Sequence, residues 1–330
     1  MNDLKKYREL PKIELHAHLN GSISLATIQK LLNLNPSIKN AIPTDFVLQQ
    51  PTTMEEVFKL FPLIQSLTQT QDALKMATLD VIKEFNDDGT VYLELRSTPK
   101  KTDCMSKKEY IRTILEAIRE SRKKLPIVVT LILSIDRRQS VEEAQDTVMM
   151  AIEDASGYIV GVELSGDPSI DGQKFLPALA MAKKRRLGVS IHLAELPENT
   201  DEIIPFLEFK PDRIGHGTFL HTDQAYIDLM DKYRIPLEIC LTSNTLCKTT
   251  ATVADSHFPF WRQKGVPIAI CTDDKGLMND CTLSHEYQKA AEAFNFDFDQ
   301  LRQISRDAFT ISFASRKLSK KKVAMIWHKL

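Results

Sequence analysis

Residues 158–195 read YIVGVELSGDPSIDGQKFLPALAMAKKRRLGVSIHLAE. Two short β-rich runs, YIVGVELSG (158–166) and GVSIHLAE (188–195), flank FLPALAMAKKRR (175–186), which has a helical period. A strand–helix–strand unit implies parallel pairing, because parallel strands need a crossover between them. The same unit recurs along the chain. Further strand-like runs lie at 12–18 (KIELHAH), 91–98 (VYLELRST), 127–136 (IVVTLILSID), 213–218 (RIGHGT), 235–244 (IPLEICLTSN) and 267–274 (PIAICTDD). With amphipathic stretches such as 107–124 between them, eight units predict a (β/α)8 TIM barrel, a single domain over 1–330.

Two regions exceed the repeat. Residues 19–90 are too long for one crossover and are expected to hold extra helices, with 33–53 as an irregular loop, either a lid or a surface excursion. The tail from Phe296 reads as helical and ends in SRKLSKKK, a solvated basic face. Polar residues gather at the C-terminal ends of the runs: His16 and His18, Ser97 and Thr98, Asp136, Gly166, His192 and Glu195, His216, Ser243 and Asn244, Asp273 and Asp274. In a barrel those ends share one face, where catalytic groups sit.

Composition sets the surroundings of that face. Lys+Arg number 43 and Asp+Glu 44, which gives no footprint for a nucleic-acid polymer or a membrane surface. The five cysteines show no C-x-x-C, and Cys240 and Cys271 fall in apolar runs where a thiol packs as a small hydrophobe. The N-terminal MNDLKKYREL has no apolar core of a secretory signal, and the chain is expected in the cytosol, as a monomer.

On a strand, residues i and i+2 face the same way, so His16 and His18 can converge on one ion. Alone, an H-x-H pair more often means two ordinary polar residues. His192 and Asp273, at matching strand ends, complete a mixed nitrogen and oxygen set suited to one catalytic Zn2+. Such an ion lowers the pKa of bound water to about 7. Glu195, three residues beyond His192, is placed to be an acid or base, and His216 to take a proton from the attacking water. Asp273 and Asp274 divide into one ligand and one substrate contact, and both reach one metal only if the strand has ended. Spacing leaves open which does which.

ELHAHLNGS, LSGDP, IHLAE, DRIGHGT, LTSN and CTDD, in this order, resemble the adenosine deaminase family of metal-dependent amidohydrolases across nearly the whole chain. PKIELHAHLNGSI, YLELRSTPK, SIDRR, PDRIGHGTFL, EICLTSN and ICTDDKG are similar to its adenosine deaminase-like branch, which acts on N6-methyl-AMP. The resemblance implies a zinc-dependent deaminase of a purine nucleoside monophosphate, giving IMP and methylamine. It implies His16, His18, His192 and Asp273 as ligands, Glu195 as the proton donor to N1, and His216 as the group orienting hydroxide. Asp274 and the Gly166 backbone would bind the purine, bordered by His18. Asn20, Ser97, Thr98, Pro99, Lys100 and Asp136 would complete the nucleotide site. One departure stands out: Gln65 occupies a place where relatives of this branch often have a histidine near the phosphate. Glutamine donates a hydrogen bond but brings no charge. A deaminase of free adenosine or adenine, and a silent nucleoside-binding barrel, are the competing readings.

Overall fold

Eight strands, β1 (Lys12–His18), β2 (Thr90–Ser97), β3 (Val128–Asp136), β4 (Ile159–Ser165), β5 (Gly188–Leu193), β6 (Arg213–His216), β7 (Leu237–Ile239) and β8 (Ile268–Ile270), pair in sequence order, all parallel. Past β8 the chain returns to β1. The Asp273 N–H donates to the His16 carbonyl at 2.8 Å and the His18 N–H donates to the Asp273 carbonyl at 3.1 Å, closing the barrel. This computed structural model describes residues 3–35 and 54–330. Most of the loop expected at 33–53 lies outside the described residues.

Local signals account for the crossover helices. Helices Lys107–Ser121 and Val141–Glu153 each begin with a capping box, Ser106 with Glu109 and Ser140 with Glu143, which satisfies donors otherwise orphaned in a first turn. The extra helices fall where expected. Leu25–Leu34, Met54–Leu67 and Gln71–Asp87 stand between β1 and β2, and four helices from Leu283 to Trp327 follow β8. Among the described residues no helix is long and apolar enough to cross a membrane.

Two expectations are corrected. The run 235–244 is extended only over Leu237–Ile239, and Leu241–Leu246 is already helical, so Ser243 and Asn244 project from a helical turn. The C-terminal tail is more than a solvated face. Cβ atoms built at Gly161 and Gly188 would lie 2.8 and 2.3 Å from the Phe313 ring, which occupies the floor of the barrel. The Arg213 guanidinium lies over that ring, 3.6 Å from its centre. Apolar tail residues Phe309, Ala314 and Ile326 join the core with Ile13 and Leu15.

The barrel interior is charged as well as apolar. Glu14, Glu94, Arg96, Glu163, Arg213 and Glu238 are all fully buried. Arg213 binds Glu94 at 2.6 Å and also Glu238, while Arg96 bridges Glu238 and Glu163. Buried charges persist only when paired and hydrogen-bonded, and this chain of pairs runs from the floor toward the mouth.

Candidate active site

The left-handed backbone turns identify the mouth. Gly166 after β4 (φ 107°), Ala194 after β5 (54°), His216 ending β6 (60°) and Asp273 after β8 (61°) all turn the chain sharply there. Such conformations are unfavourable for non-glycine residues and collect at functional sites. At Asp273 the turn is held by the two backbone hydrogen bonds to β1, which set its carboxylate beside both histidines. The strand has ended before Asp273, as its sharing a site with Asp274 required.

Four imidazoles and one carboxylate meet here. His16 Nε2 and His18 Nε2 each lie 3.4 Å from Asp273 Oδ1, and His18 Nε2 lies 3.3 Å from His192 Nε2. Ligand atoms of His16, His192, His216 and Asp273 fall within 4.8 Å of one another, as do those of His18, Glu163 and His192. The donor set fits a metal for a specific reason. Each of three rings is tied by its other nitrogen: His16 Nδ1 to Glu238 Oε2 (2.9 Å), His192 Nδ1 to the Leu164 carbonyl (3.2 Å), and His216 Nδ1 to Asn244 Oδ1 (3.0 Å). These contacts fix ring orientation and leave Nε2 facing the cluster. His16 Nε2 is buried with no hydrogen-bond partner among the described residues. Imidazole nitrogens with one carboxylate oxygen are donors zinc accepts.

The electrostatics agree. Burial and Arg96 oppose charging of His16, yet the carboxylates of Asp273 and Glu238 beside its ring raise its pKa to about 9. Burial works against the Asp273 carboxylate, and the histidines around it still hold it well below the usual range. Burial instead lowers His18, and lowers His192 well below the ordinary range, which favours the neutral imidazole a metal requires.

Glu195 and His216 flank this cluster, with His216 Nε2 3.7 Å from Glu195 Oε2 and 3.9 Å from Asp273 Oδ2. Burial raises the Glu195 carboxyl, opposed by His216, and its Oε1 has no partner among the described residues. Ser243 donates to Asp273 Oδ2 at 2.7 Å. Burial first, and the Asp273 charge second, push Asp274 well above the ordinary range. A Cβ at Gly21 would sit 1.6 Å from Asp274 Oδ1, so only glycine lets that carboxyl pack here.

The remaining expected contacts differ in burial and in partners. Ser97 Oγ is 2.8 Å from Tyr110 Oη, and Asn20 Oδ1 is buried without a partner among the described residues. Thr98 and Lys100 are half-buried and Pro99 is buried. Burial lowers Lys100 to about 8, against the pull of Asp136. Asp136 accepts from the Arg138 backbone and guanidinium, and a Cβ at Gly166 would lie 2.9 Å from its Oδ1. Gln65 is exposed, on helix Met54–Leu67. Arg96, just before Ser97, is fully buried, paired to Glu163 and Glu238, and closed to a phosphate.

Sequence reading missed the supports of the site: Glu238, Glu163, Arg96 and the acceptor role of Asn244. Their signal was a charged residue inside an otherwise apolar strand, as in LEI of β7 or VELS of β4, where charge survives only with a partner.

Comparison with known proteins gives a consistent answer. The adenosine deaminase family model matches residues 11–328. The N6-methyl-AMP deaminase of Homo sapiens is 43% identical over 321 residues, covering 94% of this chain and 90% of its own length. The apo structure of the N6-methyl-AMP deaminase from Arabidopsis thaliana superposes with a TM-score of 0.90 at 34% identity, covering 98% of this chain and 97% of its own. The Arabidopsis ADAL structure complexed with IMP gives 0.89 at 34% identity, with 98% of each chain covered.

Proposed function

The chain belongs to the adenosine deaminase family and is a hydrolytic deaminase, and from that premise we propose that it removes the C6 amine of a purine nucleoside monophosphate, N6-methyl-AMP above all. The products are then IMP and methylamine. One observation carries the reading of the chemistry: Glu195 and His216 face each other at 3.7 Å beside the His/Asp cluster. The choice of substrate draws on the N6-methyl-AMP deaminases to which the chain is similar.

In this reading His16, His18, His192 and Asp273 hold one zinc ion. When bound, it would supply Lewis acidity that lowers the pKa of water to about 7. His216, its Nδ1 committed to Asn244 Oδ1, turns Nε2 toward the cluster and takes the proton of the attacking water. Glu195 protonates purine N1, which relieves the aromatic ring as C6 becomes tetrahedral. Proton transfer of this kind contributes about 10²–10⁴-fold. Methylamine leaves after its nitrogen is protonated. Asp274 and the Gly166 backbone hold the purine, and Asn20, Ser97, Thr98 and Asp136 the sugar side. Lys100 meets the phosphate as a point charge rather than bidentately. Because Gln65 brings no charge, that contact falls on Lys100.

Side-by-side kinetics on N6-methyl-AMP, AMP, adenosine and N6-methyladenosine test the assignment. The first should be strongly preferred, and a flat profile or a preference for adenosine refutes the nucleotide reading. Lys100→Ala should raise KM for the nucleotide far more than for the nucleoside.

A pH dependence follows from the same lysine. Burial lowers Lys100 to about 8 in the free protein, so its charge is complete well below that pH and lost above it. The phosphate, with a second pKa of about 6, stays dianionic throughout. For the nucleotide, kcat/KM, which reports the free enzyme, should fall through about pH 8 relative to the nucleoside. Lys100→Ala should remove that relative fall.

A further inference from the structure

Arg137 lies one residue past β3, is 1% exposed, and carries no chemistry of its own in the reaction above. Its guanidinium meets Glu202 with two prongs, Nη1 to Oε2 at 2.6 Å and Nη2 to Oε1 at 2.8 Å. Nη2 also donates to the His192 carbonyl at 2.7 Å, and Nη1 to the Ile170 carbonyl at 2.7 Å. The Gly172 N–H donates to Glu202 Oε2 at 2.7 Å, and a Cβ at Gly172 would lie 2.9 Å from Arg137 Nη1. Asn199 donates to the Pro168 carbonyl at 2.7 Å, tying the same two loops again.

One ion pair thus joins the turn after β3, the loop after β4, the last residues of β5 and the far end of the loop 194–202. That loop carries Glu195. Its two ends, at the His192 carbonyl and at Glu202, are both held by Arg137, and its first residue, Ala194, turns through a left-handed conformation. The Glu195 carboxylate is held by little at its own end: Oε1 has no partner among the described residues, and Oε2 lies 3.7 Å from His216. Backbone placement must therefore aim it. A buried ion pair is weak evidence for stability, since apolar residues fill such space as well. What a two-pronged arginine–carboxylate contact adds is fixed direction.

We propose that the Arg137–Glu202 pair is a positioning device that holds the 194–202 loop so that Glu195 is aimed at the purine N1. The proposal rests on the reading of Glu195 as proton donor. Arg137 and Glu202 are positioning residues, acting through Glu195 without touching substrate.

The test uses the zinc-loaded protein, with Arg137→Lys, Glu202→Gln and Glu195→Gln beside wild type. Lysine keeps the charge and loses the fork; glutamine keeps an oxygen acceptor and loses the charge. Both positioning variants should retain about one zinc per chain and bind IMP with unchanged Kd. Their kcat should fall about 10–100-fold, the scale for a displacement near 1 Å, with KM unchanged. Affinity for an analogue bearing N1–H and a tetrahedral C6 hydroxyl should fall by the same factor as kcat/KM.

A merely structural pair would lower zinc content and melting temperature while leaving kcat per bound zinc and analogue affinity at wild-type values, and that result overturns the proposal. If Arg137→Lys does not fold, Glu202→Gln decides by the same readouts. Glu195→Gln separates the two ideas. If it stays active, the proton-donor reading fails and takes this proposal with it. If it is inactive while both positioning variants keep wild-type kcat per zinc, the positioning role alone falls.

Discussion

Glu195→Gln is expected to lower kcat by about 10²–10⁴-fold, the range lost when a positioned proton donor is removed. The substitution preserves size and shape, and the amide can still hydrogen-bond to N1, but it has no proton to give. Nothing in the fold should answer to the change. The carboxylate has one oxygen without a partner among the described residues and its other oxygen 3.7 Å from His216. Zinc content, melting temperature and KM should therefore stay near wild type, and the loss should appear in kcat. Burial raises the Glu195 carboxyl, the direction that the proposed proton donor needs. Steady-state kinetics with metal analysis on the same preparation make the check, and a variant within tenfold of wild-type kcat would assign the proton to another group.

The second large effect concerns Glu238→Ala. Glu238 is fully buried and serves four donors. Oε1 accepts from Arg213 Nε and from Ser190 Oγ at 3.2 Å; Oε2 accepts from Arg96 Nη2 and from His16 Nδ1 at 2.9 Å. Flanked by two guanidinium groups, the carboxylate is held well below its ordinary range despite burial. Removing it takes one of two carboxylate partners from each buried guanidinium, leaving Arg96 with Glu163 and Arg213 with Glu94, and breaking a buried pair costs about 3–5 kcal/mol. It also frees the His16 ring, and losing such an outer partner of a ligand lowers metal affinity by about 10–100-fold. Denaturant unfolding should show the first loss, and zinc titration of chelator-stripped protein the second. Glu238→Gln should fall between, since the amide still accepts but no longer neutralises. Wild-type stability together with wild-type zinc affinity in Glu238→Ala would remove the network from both roles. Wild-type protein that holds no zinc after reconstitution would favour a silent binding barrel.

The sequence was legible at the strands that alternate cleanly. In KIELHAH the even positions carry Lys12, Glu14, His16 and His18, and β1 spans the expected residues. The strand read as 235–244 came out as three residues because hydrophobicity cannot separate a buried strand from the apolar start of a helix. The basic SRKLSKKK drew the tail toward a solvated reading, while the residues that pack beneath the barrel, Phe309 and Phe313, lie just ahead of its lysines.

By itself, then, the sequence determined the repeating β/α order, the gathering of polar residues at strand ends, and the donor types that suit zinc, because each depends on spacing within one element. The tertiary structure alone decided which groups meet across elements. It placed Asp273 between His16 and His18 through the closure of β8 onto β1, paired the buried Arg96 with Glu163 and Glu238, and set Glu238 against His16 over 222 residues of chain. Those contacts arise from barrel closure, which brings distant strand ends to one mouth and which no local period records.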